Sequence, residues 1–589
     1  MPALAATRDN SPSRAWLRAL EMTARIEDAP ARTLPVVVEE LGRRFGDAPA
    51  LIGRGESFSH AGLAARKNRY ARWAVEEGIG KGDVVALMMP NRPDYLAAWL
   101  GLTRIGAVVA LINTNLRGEG LAHAFAAARP RHLIAARELC GALDGREAKM
   151  ACWWHSDAFG ALLDTFSGEP LTDSEKLDVT LNDPALLIYT SGTTGFPKAA
   201  HVSHRRLMNW THWFAGMTGA GPDDRLYNCL PMYHSVGGVV ACGAALLNGG
   251  AVIVREKFSA SAFWCDVAES GATIFQYIGE LCRYLLAHAS EASHQKEMGR
   301  APAHRLRLAV GNGLAADVWE AFQQRFAVPR VLEFYAATEG NFSLYNAEGK
   351  VGAIGRIPPF LAHRFATAIV RFDDGTGEPA RGDDGLCIAV ARGEAGEAIG
   401  RIAGGSAGFE GYTDPAAGEK KILRNVFKPG DAWVRSGDLM RQDAQGFFYF
   451  VDRIGDTFRW KGENVSTTEV AQVAASAPGV TGACVYGVAV AGQSGKCGMA
   501  ALEVTEDFDA AHFRAHCAAR LPAYARPVFL RLVDGLSFTE TFKQKKHALA
   551  REGFDPAAIT DPLLADTGNG YVPLDGGLYA RINSGLIRL

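Results

Sequence analysis

Residues Tyr189 to Lys198 read YTSGTTGFPK, and their types and order are those of a phosphate-handling loop. Gly192 and Gly195 permit backbone conformations that a side chain would resist, so the amides can turn inward as a concave anion nest. Ser191, Thr193 and Thr194 add hydroxyl donors, and Lys198 adds a mobile positive charge. The alternative is a solvated Gly/Thr turn. A Walker A loop requires Lys and Ser/Thr directly after its second glycine. Here Gly195 is followed by Phe196 and Pro197, and Lys198 by Ala199, so that class of phosphate chemistry is excluded on spacing.

Other candidates follow downstream. His234 lies in PMYHS, where an imidazole can serve either a ligand or the core. Thr338 and Glu339, in YAATEG after an apolar run (VLEF), offer a hydroxyl and a carboxylate to a hard cation such as Mg²⁺. The same pair could instead cap a helix. Ser436-Gly437-Asp438-Leu439 is expected to end a strand-like run, AWVR. Gly311 to Ala316 matches G-x-G-x-x-A after a strand, with Glu333 near the acidic position of a dinucleotide fold. Its place deep within a longer alternating array favours a tight turn lining a ligand crevice instead. Gly404 to Gly408 matches G-x-S-x-G, but the turn-rich FEGYTDP that follows argues against a nucleophile elbow.

These residues need a large scaffold, and the composition allows one. The 589 residues are 48% hydrophobic and 21% charged, the balance of a globular chain of a few domains. A net charge of −2 implies no general attraction to nucleic acid. The 10 cysteines include no C-x-x-C pair, which fits reduced thiols and a cytoplasmic location. The N-terminus has no apolar signal-peptide core. Leu226 to Val254 is uncharged and long enough to span a bilayer. Pro231, His234, the Gly237-Gly238 pair, Asn248 and Gly249-Gly250 make it a loop, a Gly/Ala-rich helix and a strand instead.

Short apolar runs at Val84–Met89, Ala107–Ile112 and His132–Ile134 alternate with helical stretches such as Tyr95–Arg104. That alternation predicts an α/β fold with mostly parallel sheets. After Arg453-Ile454 the pattern becomes a short α+β arrangement. The expected division is residues 1–454, a large N-terminal domain, and residues 455–589, a small mobile one, with Gly455 as hinge.

Taken together and in order, YTSGTTGFPK, PMYHS, YAATEG, SGDL and DRIGDTFRWKGENVSTTEV resemble the adenylate-forming superfamily over nearly the whole chain. The last string is similar to the signature of fatty acid transport proteins, the very-long-chain acyl-CoA synthetase family. NTNLRG at Asn113–Gly118, GNGL at Gly311–Leu314 and TEGN at Thr338–Asn341 are also similar to that family. The apolar N-terminal segment of animal members has no counterpart here.

The resemblance implies AMP-forming ligation of a long- or very-long-chain fatty acid to coenzyme A, with ATP and Mg²⁺. Thr190, Ser191, Gly192, Thr193, Thr194, Gly195 and Lys198 would hold phosphates, and Thr194 and Glu339 would approach the metal. His234 would lie near the acyl carboxylate; Gly313, Tyr335, Ala336 and Thr338 near the adenylate; Asp438 and Arg453 at the ribose. Gly455, Lys461 and Gly462 would serve the hinge and the CoA tunnel, and Lys543 adenylation, with Lys545 and Lys546 as competitors. Alternatives are CoA ligation of a bile or aromatic acid, and a membrane-associated uptake protein. Peripheral contact with a membrane is a further expectation.

Overall fold

The computed structural model describes residues 11–143, 145–190, 197–294, 304–373, 376–402, 408–461, 463–491, 493, 495–538, 544 and 546–587. The chain forms two compact units, one of residues 1–314, 318–351 and 402–422, the other of 315–317, 352–401 and 423–589.

The first unit is built on two sheets. One runs Ala151–His155, His132–Ala136, Val84–Met88, Val108–Leu111, Pro184–Thr190, Lys198–Ser203. Its neighbours pair in parallel except the last, which is antiparallel. Leu186, Leu187 and Ile188 are buried in it, as a run without polar alternation requires when both faces are covered. The second sheet has a parallel centre of Ala251–Val254, Arg225–Asn228, Ile274–Ile278, Leu308–Asn312 and Val331–Ala336. Ser343–Asn346 adds an antiparallel strand beside Val331–Ala336.

Leu226–Val254 lies in this second sheet and its connection. It folds as a strand, a π-helical turn at Val236–Val240, the short helix Ala241–Leu246 and another strand. Among the described residues no helix is long and apolar enough to cross a membrane.

In the second unit an antiparallel sheet contains Thr367–Val370, Ala395–Arg401, Ala432–Gln442 and Phe447–Arg453 in that order. The SGDL string was expected to end a strand, yet it lies inside the 11-residue strand Ala432–Gln442. Gly437 at φ +78° is the reason. It forms a bulge where the register against Ala395–Arg401 shifts, and the strand continues beyond it. The amide so displaced is not orphaned: buried Glu397 accepts it at 3.2 Å.

The last part of the chain forms a five-stranded mixed sheet with strands Val480–Ala489, Lys496–Val504, Phe529–Leu532, Leu563–Asp566 and Tyr571–Pro573. Its core joins Val470 and Ala474 of the helix Thr467–Ala475 to Phe513 and Cys517 of the helix Ala510–Arg520. The α/β architecture with a smaller α+β C-terminal portion is thus as the sequence predicts.

Candidate active site

In the first unit, Thr190 and Lys198 are direct partners in the antiparallel pair formed by their two strands. They are the two ends of a closed loop. Ser191, Gly192, Thr193, Thr194, Gly195 and Phe196 between them lie outside the described residues. The segment Glu410–Thr413 adds itself to the outer strand. His201 N donates to Gly411 O at 3.1 Å and Thr413 N to Ala199 O at 2.9 Å. This brings the Tyr412 ring to 5.7 Å from Lys198 Nζ.

Tyr412 joins the loop to the acidic residue. Its hydroxyl lies within electrostatic reach of both Thr190 and Glu339. Burial, reinforced by the Glu339 charge, pushes the phenol well above its usual range, so it stays a donor. Lys421 Nζ stands 3.7 Å from Glu339 Oε1. Buried Arg206 donates to Thr338 O at 2.7 Å and lies 3.5 Å from Glu410. Glu339, itself 9% exposed, is thus ringed by Tyr412, Lys421 and Arg206. The sequence reading assigned none of those three. The Gly-Tyr-Thr-Asp turn was the available signal, and it carried no charge pattern to give its place away.

Thr338 does not cap a helix, because a strand, Ser343–Asn346, follows it. Its hydroxyl lies 3.1 Å from that of Ser235. This contact puts YAATEG beside PMYHS. His234 sits in the turn closed by its own amide on Pro231 O at 3.2 Å. The π-helical turn follows at once, and Gly238 N donates to His234 O at 2.8 Å. A Cβ at Gly238 would fall 1.9 Å from Met232 O, so the glycine is what lets the turn and helix approach.

Tyr335, half-buried, and Ala336, exposed, end their strand, with the Tyr335 ring 5.7 Å from Phe342. Gly313, at φ +80°, follows the neighbouring strand Leu308–Asn312. Glu333 does not face a ligand as a dinucleotide fold would need. It is 1% exposed, bonded to Tyr277 Oη, and accepts Leu314 N at 3.1 Å. Burial raises its carboxyl to about 8 against the pull of those bonds.

In the second unit Asp438 pairs directly with Arg453 across antiparallel strands. Lys461 turns the hairpin between Phe458–Trp460 and Glu463–Val465 at φ +52°, its ammonium 5.8 Å from the Trp460 ring. Gly455 is exposed at φ +95°. Gly462, Lys543 and Lys545 lie outside the described residues, as do Gly404–Ala407 of the G-x-S-x-G match. Lys546 is engaged, donating to Thr467 Oγ1 at 2.6 Å.

The class is set by two matches. Residues 38–397 match the model of the AMP-binding enzymes, and residues 469–543 that of the AMP-binding enzyme C-terminal domain. The chain therefore belongs to the AMP-binding, adenylate-forming enzyme family, in its fatty acid transport protein branch. Within that branch it is 40% identical to long-chain fatty acid transport protein 1 of Mus musculus, over 94% of this chain and 88% of that protein. It is 38% identical to long-chain fatty acid transport protein 2 of Rattus norvegicus, over 95% and 92%. The fold is shared with ATP-bound MatB from Rhodopseudomonas palustris, with TM-score 0.74, 22% identity and 89% and 98% coverage. It is also shared with a Mycobacterium tuberculosis fatty acyl CoA synthetase, with TM-score 0.61, 22% identity and 88% and 98% coverage.

Proposed function

We propose that this enzyme joins long- or very-long-chain fatty acids to coenzyme A through an acyl-adenylate. The carboxylate attacks the α-phosphate of ATP, releasing pyrophosphate. The CoA thiolate then attacks the acyl carbonyl and expels AMP. The supporting observation is the Thr190–Lys198 strand pair with Tyr412 beside Lys198 and within electrostatic reach of Thr190 and Glu339.

In this reading the enzyme works by positioning and by neutralising phosphate charge. Lys198 and the loop from Thr190 to Gly195 take the phosphates. Tyr412 orients Glu339 and Thr190 together. His234 lies by the acyl carboxylate, and Tyr335, Ala336 and Gly313 flank the adenine. Asp438 accepts from the ribose hydroxyls with Arg453 beside it. The Glu339 carboxylate suits Mg²⁺, which binds through one or two carboxylates plus substrate phosphates. Glu339, with Thr194, would hold it, and the ion would supply charge neutralisation.

Residues 455–589 act as the mobile domain, pivoting at Gly455. Lys543 serves adenylation, and Lys461 and Gly462 serve thioester formation. A cytoplasmic location with peripheral contact to lipid would give access to membrane-dissolved acids. A panel of fatty, bile and aromatic acids, assayed for acid-dependent pyrophosphate release, tests the substrate class. Preference for a bile or aromatic acid would overturn the fatty-acid reading.

A further inference from the structure

Gly455, the pivot in that reading, lies inside a ring of hydrogen bonds that ties the chain before it to the chain after it. Asp452, 1% exposed, belongs to the strand Phe447–Arg453 and is paired with Leu439 in the neighbouring strand. Its carboxylate accepts the backbone N of Thr467 at 2.6 Å and the Thr467 hydroxyl at 3.0 and 3.1 Å. The hydroxyls of Thr468, at 3.1 Å, and Thr457, at 3.2 Å, also donate to it, as does the backbone N of Arg453 at 2.9 Å. Ser466 Oγ donates to Val451 O at 2.7 Å alongside.

Thr467 is fully buried and carries one hydroxyl proton. Giving that proton to Asp452 leaves only lone pairs on Oγ1. Lys546 Nζ donates to one of them at 2.6 Å, and the same ammonium lies 3.3 Å from Asp456. A chain of contacts therefore runs from Asp452 through Thr467 and Lys546 to Asp456. Asp452 precedes Gly455; the other three follow it and move with the C-terminal portion. A rotation at Gly455 that carried Thr467 away from Asp452 would break the first link and leave the other two intact. Lys546 is also three residues beyond Lys543, so the chain ends beside the adenylation lysine in sequence.

We propose that Thr467 is a positioning residue, latched to Asp452 in one pose of the mobile domain and coupling that pose, through Lys546, to the segment that carries Lys543. The inference rests on the two-pose reading above. A plain helix cap would also place Asp452 at the start of Thr467–Ala475, because a carboxylate is favoured there. A cap alone gives Lys546 no part.

The test uses full-length Thr467→Val, Thr467→Ser and Lys546→Met. Two single-turnover rates are read: acyl-AMP formation without CoA, and thioester formation from supplied acyl-AMP and CoA. Thr467→Val should move the two rates in opposite directions and change their ratio threefold or more. Thr467→Ser should restore the wild-type ratio, and Lys546→Met should shift it in the same sense as Val. A ratio changed less than threefold, or a parallel fall in both rates, overturns the latch. Should Thr467→Val fail to fold, Thr467→Ala takes its place, since it removes the same hydroxyl with a smaller side chain and the same ratio is read. Lys543→Ala made in parallel separates the failures. If it impairs both half-reactions equally, the two-pose reading falls; if it separates them while the Thr467 and Lys546 variants do not, only the latch falls.

Discussion

Asp438 and Arg453 face each other as direct partners across two antiparallel strands, with Arg453 Nε 3.7 Å from Asp438 Oδ1. The bulge at Gly437 precedes the aspartate, and Ser436 Oγ accepts its amide at 3.0 Å. The carboxylate is thus held by the sheet, with a cation alongside it. If it binds ribose hydroxyls, Asp438→Ala should raise the ATP KM at least about tenfold. That corresponds to the roughly 1.5–3 kcal/mol of a hydrogen bond to a charged group. Steady-state kinetics in ATP check it, and unchanged constants would make the position structural.

The loop closed by Thr190 and Lys198 lacks Walker A spacing, so cleavage is expected at the α-phosphate. Chromatography of a reaction with a long-chain acid and CoA should show AMP and pyrophosphate in equal amounts. ADP and phosphate would contradict adenylation.

The two half-reactions should come apart. Lys543→Ala should slow acyl-AMP formation by about 10²–10³, the usual effect of losing one transition-state electrostatic contact. It should still convert supplied acyl-AMP and CoA to thioester. Gly462→Leu should accumulate acyl-AMP that CoA discharges slowly, because the added side chain would obstruct pantetheine.

Glu333 links pH to stability. Burial raises its folded-state carboxyl to about 8, above its unfolded value, so the folded state holds the extra proton between the two. Stability is therefore lost as pH rises from the ordinary carboxyl value toward 8, by up to about 1.4 kcal/mol per pH unit. Glu333→Gln stays neutral and keeps an oxygen for Leu314 N. The melting temperature of the variant relative to wild type should climb between pH 5.5 and 8; a flat difference would count against the buried neutral acid.

Lys67 is fully buried and donates to Glu39 Oε1 at 2.6 Å, with Arg104 Nε 3.3 Å from the same oxygen. Burial lowers the lysine to about 8. Glu39→Leu would strand the ammonium and should cost about 3–5 kcal/mol. Glu39→Leu with Lys67→Met should recover much of that loss in urea denaturation.

Sequence alone determined the features that are local. The strand Pro184–Thr190 and the phosphate-loop string that follows it, the helix Pro93–Arg104, and the alternation behind the parallel sheets follow from neighbours a few residues apart. Lys198, Glu339 and Asp438 became candidates because each sits in a short string whose spacing limits its chemistry. Tertiary structure alone decided what surrounds them. Tyr412 reaches Glu339 only because its segment pairs beside Ala200, and Arg206 reaches Thr338 from a helix more than a hundred residues away. Glu333 matched an acidic ligand position in sequence, yet the fold buries it against Tyr277, where it binds a loop amide. Asp452 and Thr467 read as ordinary polar residues; their meeting across Gly455 depends on a strand and a helix N-terminus converging. Such contacts join residues whose separation along the chain carries no periodicity, so their chemistry appears only once packing has fixed the distances.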